Sequence, residues 1–265
     1  MLVAITREVS PSFDRCELTH LAREAININV AKAQHRQYEN CLADLGCAIH
    51  RLPVEPEMPD SVFVEDTAIV LDELAIITRP GAESRRAETP SVAKALEVHR
   101  RLYHIEPPGT IDGGDVLCVD RTLYVGLSSR SDKSGIEQLC GFVAPFSYAV
   151  EPVKMQGCLH LKSAVTRVGR NTLLVNRAWV DVGAFAGMDL VDVDPTESMG
   201  ANALLIGEVA VYPTAYARTR ERLEDRGIAV RTVDVSELAK GEGGVTCCSL
   251  IFTTTSQQKA ETMRG

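Results

Sequence analysis

A weak internal repeat constrains the fold of this chain more than any other feature of its sequence. Each unit has a polar signature, a β-forming run, a tight polar turn and a second β run. The units start at equivalent positions, which are Asp66, Asp115, Lys162, Asn202 and Cys247. These starts are 49, 47, 40 and 45 residues apart, near the size of one small ββαβ unit with insertions. The last unit is truncated, and the N-terminal segment LVAITRE could supply its missing strand.

Helical patterns lie between the predicted hairpins. They cover residues 28–46, 89–102, 132–142 and 214–226. Pro90 fits the first turn of the second helix, and Gly46 and Gly227 fit the C-terminal ends of the first and the last. Each helix leads into a short predicted strand, and these strands cover residues 48–52, 103–106, 148–152 and 229–233.

Five such units predict an α/β fold, a five-bladed ββαβ propeller with pseudo-five-fold symmetry. The hairpins would lie inside the ring and the helices outside, and closure of the ring avoids open sheet edges. A doubly wound sheet is the competing architecture, but it would alternate strands and helices without so many hairpins. Because the chain has no low-complexity linker and no break in composition, we expect a single catalytic domain over residues 1–265.

Five-fold closure would bring the starts of the first strands to one end of the central axis. The residues that would converge there are Glu65, Asp66, Asp112, Asp115, His160 and Cys247. This set contains a nucleophile, a base and several carboxylates. An arbitrary set of strand starts would be less reactive.

Three of these residues have the chemistry of a nucleophilic site. Cys247 follows two glycines, which permit unusual backbone angles and close approach of a ligand. Cys248 should point the opposite way along a strand, into the packing. His160 is the natural general acid/base, since its unperturbed pKa is near 6.5. Asp112 could orient His160. The structural alternatives are a buried thiol, a core histidine and a turn aspartate.

Two further groups of charged residues suggest a cationic, zwitterionic ligand. Glu65 and Asp66 are adjacent carboxylates, which are costly to bury unless an arginine or a substrate guanidinium compensates them. Arg85 and Arg130 lie at the exits of two units. An arginine there could bind a substrate carboxylate bidentately, and a solvated surface arginine is the alternative.

Composition excludes several classes of partner. The chain has 28 basic and 36 acidic residues, and a net charge of −8 disfavours both nucleic acid and anionic lipid. No apolar run approaches the ~18–20 residues of a membrane span, and no secretory signal is visible, so we expect a cytoplasmic protein. No CxxC pair occurs among the eight cysteines, and most of them, including Cys41, Cys47 and Cys118, are predicted to be buried thiols.

Four motifs carry a resemblance to a known family. They are FVED (63–66), TIDGGDVL (110–117), LHLKS (159–163) and GGVTCCS (243–249). In this order and spacing they resemble the guanidino-modifying enzymes of the pentein fold, and most closely the dimethylarginine dimethylaminohydrolase family. The resemblance spans nearly the whole chain. The length also fits, because arginine deiminases usually carry an extra helical module and amidinotransferases are longer.

The resemblance implies a role for each site residue. Cys247 would be the nucleophile, His160 the general acid/base and Asp112 its carboxylate partner, a position where bacterial members often have Glu. The substrate-binding residues would be Glu65 and Asp66 at the guanidinium, Arg85 and Arg130 at the carboxylate, Asp60 at the α-amine, and the backbone around Leu18 in a mobile lid. No metal or organic cofactor would be needed.

The resemblance also implies an activity. The chain would hydrolyse Nω-methylated arginine to citrulline and dimethylamine or methylamine, through a thiouronium on Cys247. Its partner would be a small guanidino amino acid, and the protein would be a monomer or a homodimer.

Three other interpretations remain open. The same scaffold could act on arginine, as a deiminase, or on citrulline or another guanidino or ureido compound. The chain could be a non-catalytic binding module related to penteins of the initiation-factor type. It could also bind a metal through Cys247, Cys248 and His160, although these residues lack the usual ligand spacing.

Overall fold

The computed structural model describes residues 1–254, and their strands form five sheets of three strands each. The predicted domain also includes residues 255–265, which lie outside the described part. The strands are β1 (Leu2–Arg7), β2 (Ala48–Leu52), β3 (Ala68–Val70), β4 (Leu74–Ile77), β5 (Arg101–His104), β6 (Val116–Val119), β7 (Thr122–Leu127), β8 (Ala149–Lys154), β9 (Val165–Arg167), β10 (Thr172–Val175), β11 (Asp189–Asp192), β12 (Leu204–Ile206), β13 (Val209–Pro213), β14 (Ala229–Val233) and β15 (Leu250–Thr253). The α-helices are α1 (Ile28–Asp44), α2 (Thr89–Leu96), α3 (Lys133–Val143), α4 (Leu161–Ala164), α5 (Ala217–Asp225) and α6 (Ser236–Ala239).

All five sheets share one topology. The central strand pairs antiparallel with the first strand of its unit and parallel with the third. In the sheet β3-β4-β5, for example, Ile76 faces Ile69 across the antiparallel pair and Tyr103 across the parallel pair. An α-helix connects the second and third strands in four of the units, and a 3-10 turn at Val182–Phe185 does so in β9-β10-β11. The predicted ββαβ repeat is therefore confirmed.

The two ends of the chain close the ring. β1 pairs antiparallel with β15, and Val3 lies opposite Phe252. The N-terminal strand thus completes the last unit, as predicted. The first strands β3, β6, β9, β12 and β15 all line one central cavity of about 330 Å³, and no residue of α1, α2, α3 or α5 lines it. This arrangement is the predicted five-bladed propeller and not a doubly wound sheet.

Most predicted helices agree with the structure, and one was too long. α1 ends two residues before Gly46, whose φ of +92° is the left-handed conformation that glycine adopts readily. The helix predicted over residues 89–102 ends at Leu96, because the chain then turns into β5. Leu102 pairs there with Ala75 of β4 and satisfies the backbone of that strand.

Other elements also differ from the prediction, and strand β5 covers Arg101–His104 where residues 103–106 were predicted. α5 begins at Ala217, three residues later than the pattern suggested, and β11 was not predicted at all. Among residues 1–254, no helix has both the length and the apolar character to cross a membrane.

Helix α3 shows how the helices hold the sheets. Ile136, Leu139 and Val143 lie on one side of the helix at the spacing of successive turns. They belong to one buried cluster with Leu123 and Val125 of β7. Full burial of each such side chain contributes about 1.5–3 kcal/mol, so the helix fixes its sheet firmly.

The predicted site residues at the strand starts lie in the short turns that precede these strands. His160 was expected to start a strand, but it is the N-cap of the single-turn helix α4. Glu65 and Asp66 likewise lie in a 3-10 turn at Val64–Thr67, before β3. A turn leaves backbone N–H groups without partners of their own, and these groups become available to side chains from neighbouring units.

The cysteine prediction was correct for most positions. All eight cysteines are free thiols, and Cys41 and Cys47 are buried. The prediction was wrong for Cys118, which is exposed. Its position on β6 places it among the residues that line the central cavity.

Candidate active site

A narrow cavity of about 20 Å³ brings distant segments of the chain together. Cys247 and His160 both line it. Its lining residues are Glu17, Asp60, Phe63, Asp66, Arg85, Arg130, Leu159, His160, Gly241, Glu242, Gly243 and Cys247. A thiol and an imidazole thus share a polar cavity, as five-fold closure predicted.

His160 is held between two carboxylates. Its Nε2 lies 3.0 Å from Asp112 Oδ2, and its Nδ1 lies 3.7 Å from Asp66 Oδ1. Burial disfavours the imidazolium, but the negative charges of Asp66, Asp112 and Asp115 outweigh burial and raise the pKa of His160 to about 9. At neutral pH the imidazole is therefore protonated, and it can donate a proton.

The first carboxylate, Asp66, is itself stabilised as an anion. Burial would raise its pKa, but the charges of His160 and Arg85 lower the pKa of Asp66 to about 2. Its Oδ1 accepts a hydrogen bond from Gly114 N–H at 3.0 Å, and its Oδ2 lies 2.5 Å from Arg85 Nη1. Asp66 is thus a permanent negative charge in the wall of the cavity.

The loop that carries His160 is anchored by Asp115. Asp115 Oδ1 accepts the N–H of Leu161 at 2.9 Å, and its Oδ2 accepts the hydroxyls of Ser128 and Ser131. Burial raises the pKa of Asp115 to about 6. The same Ser131 hydroxyl accepts the N–H of Asp112 at 3.1 Å. This network joins both partners of the His160–Asp112 pair.

Cys247 lies in a tight turn after two glycines. Its Sγ accepts the N–H of Gly244 at 3.3 Å. Burial, together with the charges of Glu65 and Asp66, raises the pKa of Cys247 to about 12. Without a bound cation the thiol is therefore protonated at neutral pH. Cys248 is fully buried, as predicted.

The glycines before Cys247 serve close approach and not an unusual backbone angle. A Cβ on Gly244 would lie 2.3 Å from Asn202 Oδ1, and one on Gly243 would lie 2.1 Å from Phe63 Cε1. Neither glycine has a positive φ. The residue that does is Glu242, at +61°.

Glu65 lies behind the cavity and does not line it. Its Oε1 is 2.6 Å from Lys162 Nζ, and its Oε2 accepts the Thr246 hydroxyl at 2.7 Å. Its N–H donates to the carbonyl of Cys247 at 3.1 Å. Glu65 therefore supports the backbone of the turn that carries Cys247, and it faces the central cavity.

Arg85 is a buried hub of hydrogen bonds. It donates to the carboxylates of Asp66 and Glu88 and to the carbonyls of Asp60 and Phe63. These contacts leave one N–H of Nη1 for a ligand. Arg85 thus holds the carboxylate wall together and has little capacity left for a substrate carboxylate.

Arg130 is engaged very differently. It is buried beside the cavity and forms no ion pair with any residue between 1 and 254. Within the described residues its guanidinium makes one hydrogen bond, from Nη2 to the Thr19 hydroxyl at 3.1 Å. A cation without a carboxylate partner at the cavity wall is well placed to receive an anionic group.

The chain segment before α1 covers the cavity. Both oxygens of Asp60 accept the N–H of Glu17, at 3.1 and 3.3 Å, and burial raises the pKa of Asp60. The Ser84 hydroxyl donates to the Glu17 carboxylate. Leu18 is half-buried and packs against the apolar cluster of Phe13, and its side chain does not line the cavity.

Comparison with known proteins identifies the chain. Residues 14–181 match the family model described as "N,N dimethylarginine dimethylhydrolase, eukaryotic". A dimethylarginine dimethylaminohydrolase from Pseudomonas aeruginosa is 35% identical over 224 residues, which cover 84% of this chain and 88% of the relative. The chain belongs to the dimethylarginine dimethylaminohydrolase family.

A second relative and a solved structure agree with this assignment. The enzyme from Streptomyces coelicolor is 37% identical over 249 residues, which cover 93% of this chain and 95% of the relative. The structure of a cysteine-to-serine variant from Pseudomonas aeruginosa, complexed with citrulline, superimposes with a TM-score of 0.89 at 32% identity. It covers 94% of this chain and 98% of that one. The predicted pentein fold is confirmed.

The site also has a group that could hold a metal ion. Within residues 1–254, ligand atoms of Asp66, Asp112 and His160 lie within 4.8 Å of one another. This group does not contain Cys247 or Cys248, which the metal-binding interpretation required. A metal ion there would have to compete with a proton for the ring nitrogens of His160.

Several lining residues were not found by sequence reasoning. Glu17 adjoins Leu18, and Glu242 precedes the glycine pair of a motif typical of dimethylarginine dimethylaminohydrolases, but neither residue has a spacing that indicates a site. Phe63 and Leu159 begin the FVED and LHLKS motifs and form apolar walls of the cavity. Their proximity to the signature residues was the only available signal.

Proposed function

We propose that this chain is a hydrolase that converts Nω-methylated arginine into citrulline and dimethylamine or methylamine. One observation carries the proposal: His160, held between Asp66 and Asp112, lines the same cavity as Cys247. An anionic wall suits a guanidinium, the thiol supplies a nucleophile and the imidazolium supplies an acid. Membership of the family supports the choice of a methylated arginine as substrate.

Binding of the substrate prepares the thiol for attack. Asp66 faces the cavity as a carboxylate and would orient the guanidinium through hydrogen bonds. A cation beside Cys247 lowers the cost of its thiolate, so the substrate itself would help release the thiol proton to water. The Sγ thiolate would then form a bond with the guanidinium carbon and give a tetrahedral intermediate.

His160 would complete the first half of the reaction. Its imidazolium donates a proton to the nitrogen of the departing amine, and the carbon–nitrogen bond breaks. Dimethylamine or methylamine leaves, and the remaining carbon stays bonded to Sγ as a thiouronium cation. Asp112 would keep the imidazole oriented during this proton transfer.

Water would complete the second half. His160, now neutral, takes a proton from a water molecule while the oxygen bonds to the thiouronium carbon. The second tetrahedral intermediate loses its hydroxyl proton to solvent water, and the carbon–sulfur bond breaks. Citrulline and the Cys247 thiolate result, and His160 is again protonated. Cys247, His160 and water carry every bond change in this scheme.

The other groups would bind the amino-acid end of the substrate. Arg130 has the free charge for the α-carboxylate, while Arg85 would contribute at most one N–H. Asp60 lines the cavity and would accept the α-ammonium. Glu65 would act mainly through the backbone of Cys247. These roles apply to a single catalytic domain, and a cytoplasmic location and a monomeric or homodimeric state remain predictions.

Product analysis tests the proposal directly. Purified protein is incubated with asymmetric dimethylarginine, monomethylarginine, arginine and citrulline, and citrulline, methylated amines and ammonia are measured. We expect citrulline with dimethylamine or methylamine from the methylated substrates, and no product from Cys247→Ser. Ammonia from arginine or citrulline would instead establish the deiminase-type activity. A folded protein that turns over none of the four would contradict the proposal.

A further inference from the structure

One carboxylate receives three consecutive backbone N–H groups of another segment. Glu242 Oε2 accepts the N–H of Thr19 at 3.0 Å, and Glu242 Oε1 accepts those of His20 at 2.5 Å and Leu21 at 2.7 Å. Successive N–H groups that converge in this way form a concave site for an anion. Here a side chain of the protein occupies that site.

The segment bound by Glu242 adjoins the cavity, and its residue Glu17 lines it. We define the lid as residues 17–25, which contain no helix or strand. It contacts the cavity wall at two further points, where Glu17 N–H meets the Asp60 carboxylate and the Thr19 hydroxyl meets Arg130. The lid is thus tied to the groups proposed to bind the α-ammonium and the α-carboxylate.

The position of Glu242 is unusual for a glutamate. Its φ of +61° is left-handed, and Gly241, Gly243 and Gly244 surround it. Glycine would adopt this angle without strain. Glutamate in place of glycine is explained by its side chain, which extends from the loop that carries Cys247 and accepts hydrogen bonds from the lid.

The size of the closed cavity shows why the lid must move. Its volume of about 20 Å³ is close to the ~10–15 Å³ that a single water requires. This space is too small for an amino acid with a guanidino group, so we expect the lid to open before such a ligand enters. Closure afterwards would exclude bulk water and complete the site.

We propose that Glu242 is a positioning residue that fastens the lid over the bound substrate. This inference rests on the proposed function, because the lid is assigned to the substrate cavity. Glu242 acts through the backbone of residues 19–21 and does not touch the reacting atoms. Its carboxylate links the lid to the turn that carries Cys247. Closure of the site would therefore position the lid and this turn relative to each other.

The variant Glu242→Gln tests the hydrogen bonds between Glu242 and the lid while leaving the fold intact. Glutamine keeps the size of the side chain but has one acceptor oxygen, and its NH₂ group would face N–H donors. Glu197→Gln is the matched control. Glu197 also accepts two backbone N–H groups, those of Arg218 and Thr219, but it lies outside the cavity.

Amide hydrogen exchange on the ligand-free protein measures how well Glu242 protects the lid amides, and it does not depend on enzymatic activity. We expect the amides of residues 19–21 to exchange at least about tenfold faster in Glu242→Gln and to be unchanged in Glu197→Gln. If Glu242→Gln does not fold, Glu242→Asn replaces it, since asparagine tolerates a positive φ and is too short to reach the lid. Unchanged exchange in the folded variant would overturn the proposal.

Steady-state kinetics then test the positioning role. We expect KM for the methylated substrate to rise about fivefold or more, with kcat within about twofold of the wild type. A fall in kcat at unchanged KM, or no kinetic change at all, would overturn that role. A wild-type protein without turnover would refute the proposed function alone, and hydrogen exchange would still decide whether Glu242 holds the lid.

Discussion

Asp112 Oδ2 lies 3.0 Å from His160 Nε2, and both side chains are buried. On the other side of the ring, Nδ1 faces Asp66 Oδ1 at 3.7 Å. The imidazole is therefore enclosed by negative charge, and its pKa of about 9 lies well above the ~6.5 of a free histidine. This pair joins two units of the propeller.

The pKa of His160 should depend on the charge of Asp112. In Asp112→Asn we expect the pKa of His160 to fall and kcat/KM to drop by about 10²–10⁴, because the imidazole loses its charged partner. NMR titration of the His160 ring protons measures the first effect, and initial rates measure the second. Asp181→Asn, in a distant turn, should change neither, and an unchanged His160 pKa in Asp112→Asn would contradict the assignment.

The same shift predicts how stability depends on pH. The pKa of His160 is higher in the folded than in the unfolded chain, so its contribution is fully present below about pH 6.5 and is lost as the pH rises through about 9. The free energy of unfolding of the wild type should therefore decline relative to His160→Gln across this window, by on the order of 3 kcal/mol. Urea unfolding at several pH values measures the difference. A difference that grows with pH would reverse the predicted sign.

The two adjacent cysteines should respond in opposite ways to the same substitution. Cys247→Ser should abolish turnover and leave the fold intact, because a hydroxyl is a far weaker nucleophile. Cys248→Ser should keep activity within about threefold but lose about 1–3 kcal/mol of stability, since it places a hydroxyl in a fully buried site. Citrulline formation and thermal unfolding distinguish them. Loss of turnover in Cys248→Ser with retained stability would indicate that Cys248, and not Cys247, is the nucleophile.

Substitutions of Arg85 and Arg130 should have different effects on stability and on KM. Arg85→Gln should cost about 3–5 kcal/mol of stability, because it leaves the buried carboxylates of Asp66 and Glu88 unpaired. Arg130→Gln should change stability by less than about 1 kcal/mol but raise KM about tenfold or more, since Arg130 has no ion pair to lose within residues 1–254. Urea unfolding and KM measurements check both. A stable Arg85→Gln variant with raised KM would assign carboxylate binding to Arg85.

Gly114 should be intolerant of a methyl group. A Cβ there would lie 2.7 Å from both Asp66 Oδ1 and His160 Nδ1, so Gly114→Ala must displace one of them, and we expect kcat/KM to fall about 100-fold or more. Gly141→Ala is the control, because a Cβ added at this position in α3 would meet no atom outside the helix backbone within 4 Å. This substitution should be neutral or should stabilise the fold by about 0.5–1 kcal/mol. Initial rates and thermal unfolding compare the two. Equal activity in both variants would contradict the packing of the site.

Local patterns predicted the elements but not all of their ends. Strand β2 has the predicted bounds, because its signal lies within its own residues. The end of α2 at Leu96 was missed, because β5 forms by pairing with β4, a distant segment. His160 was similarly placed in a strand, although the short turn of α4 is stabilised by Asp115 of the preceding unit.

The amino-acid sequence alone determined the five-fold repeat and the ββαβ order, and it predicted the candidate set that includes Cys247, His160 and Asp112. These features are encoded by periodicity and residue type along one stretch of chain. Tertiary structure decided that Arg85 is bound by carboxylates, that Arg130 is unpaired within residues 1–254, and that Glu242 reaches the lid. Those outcomes depend on distances between units far apart in sequence, which only packing of the closed ring can set.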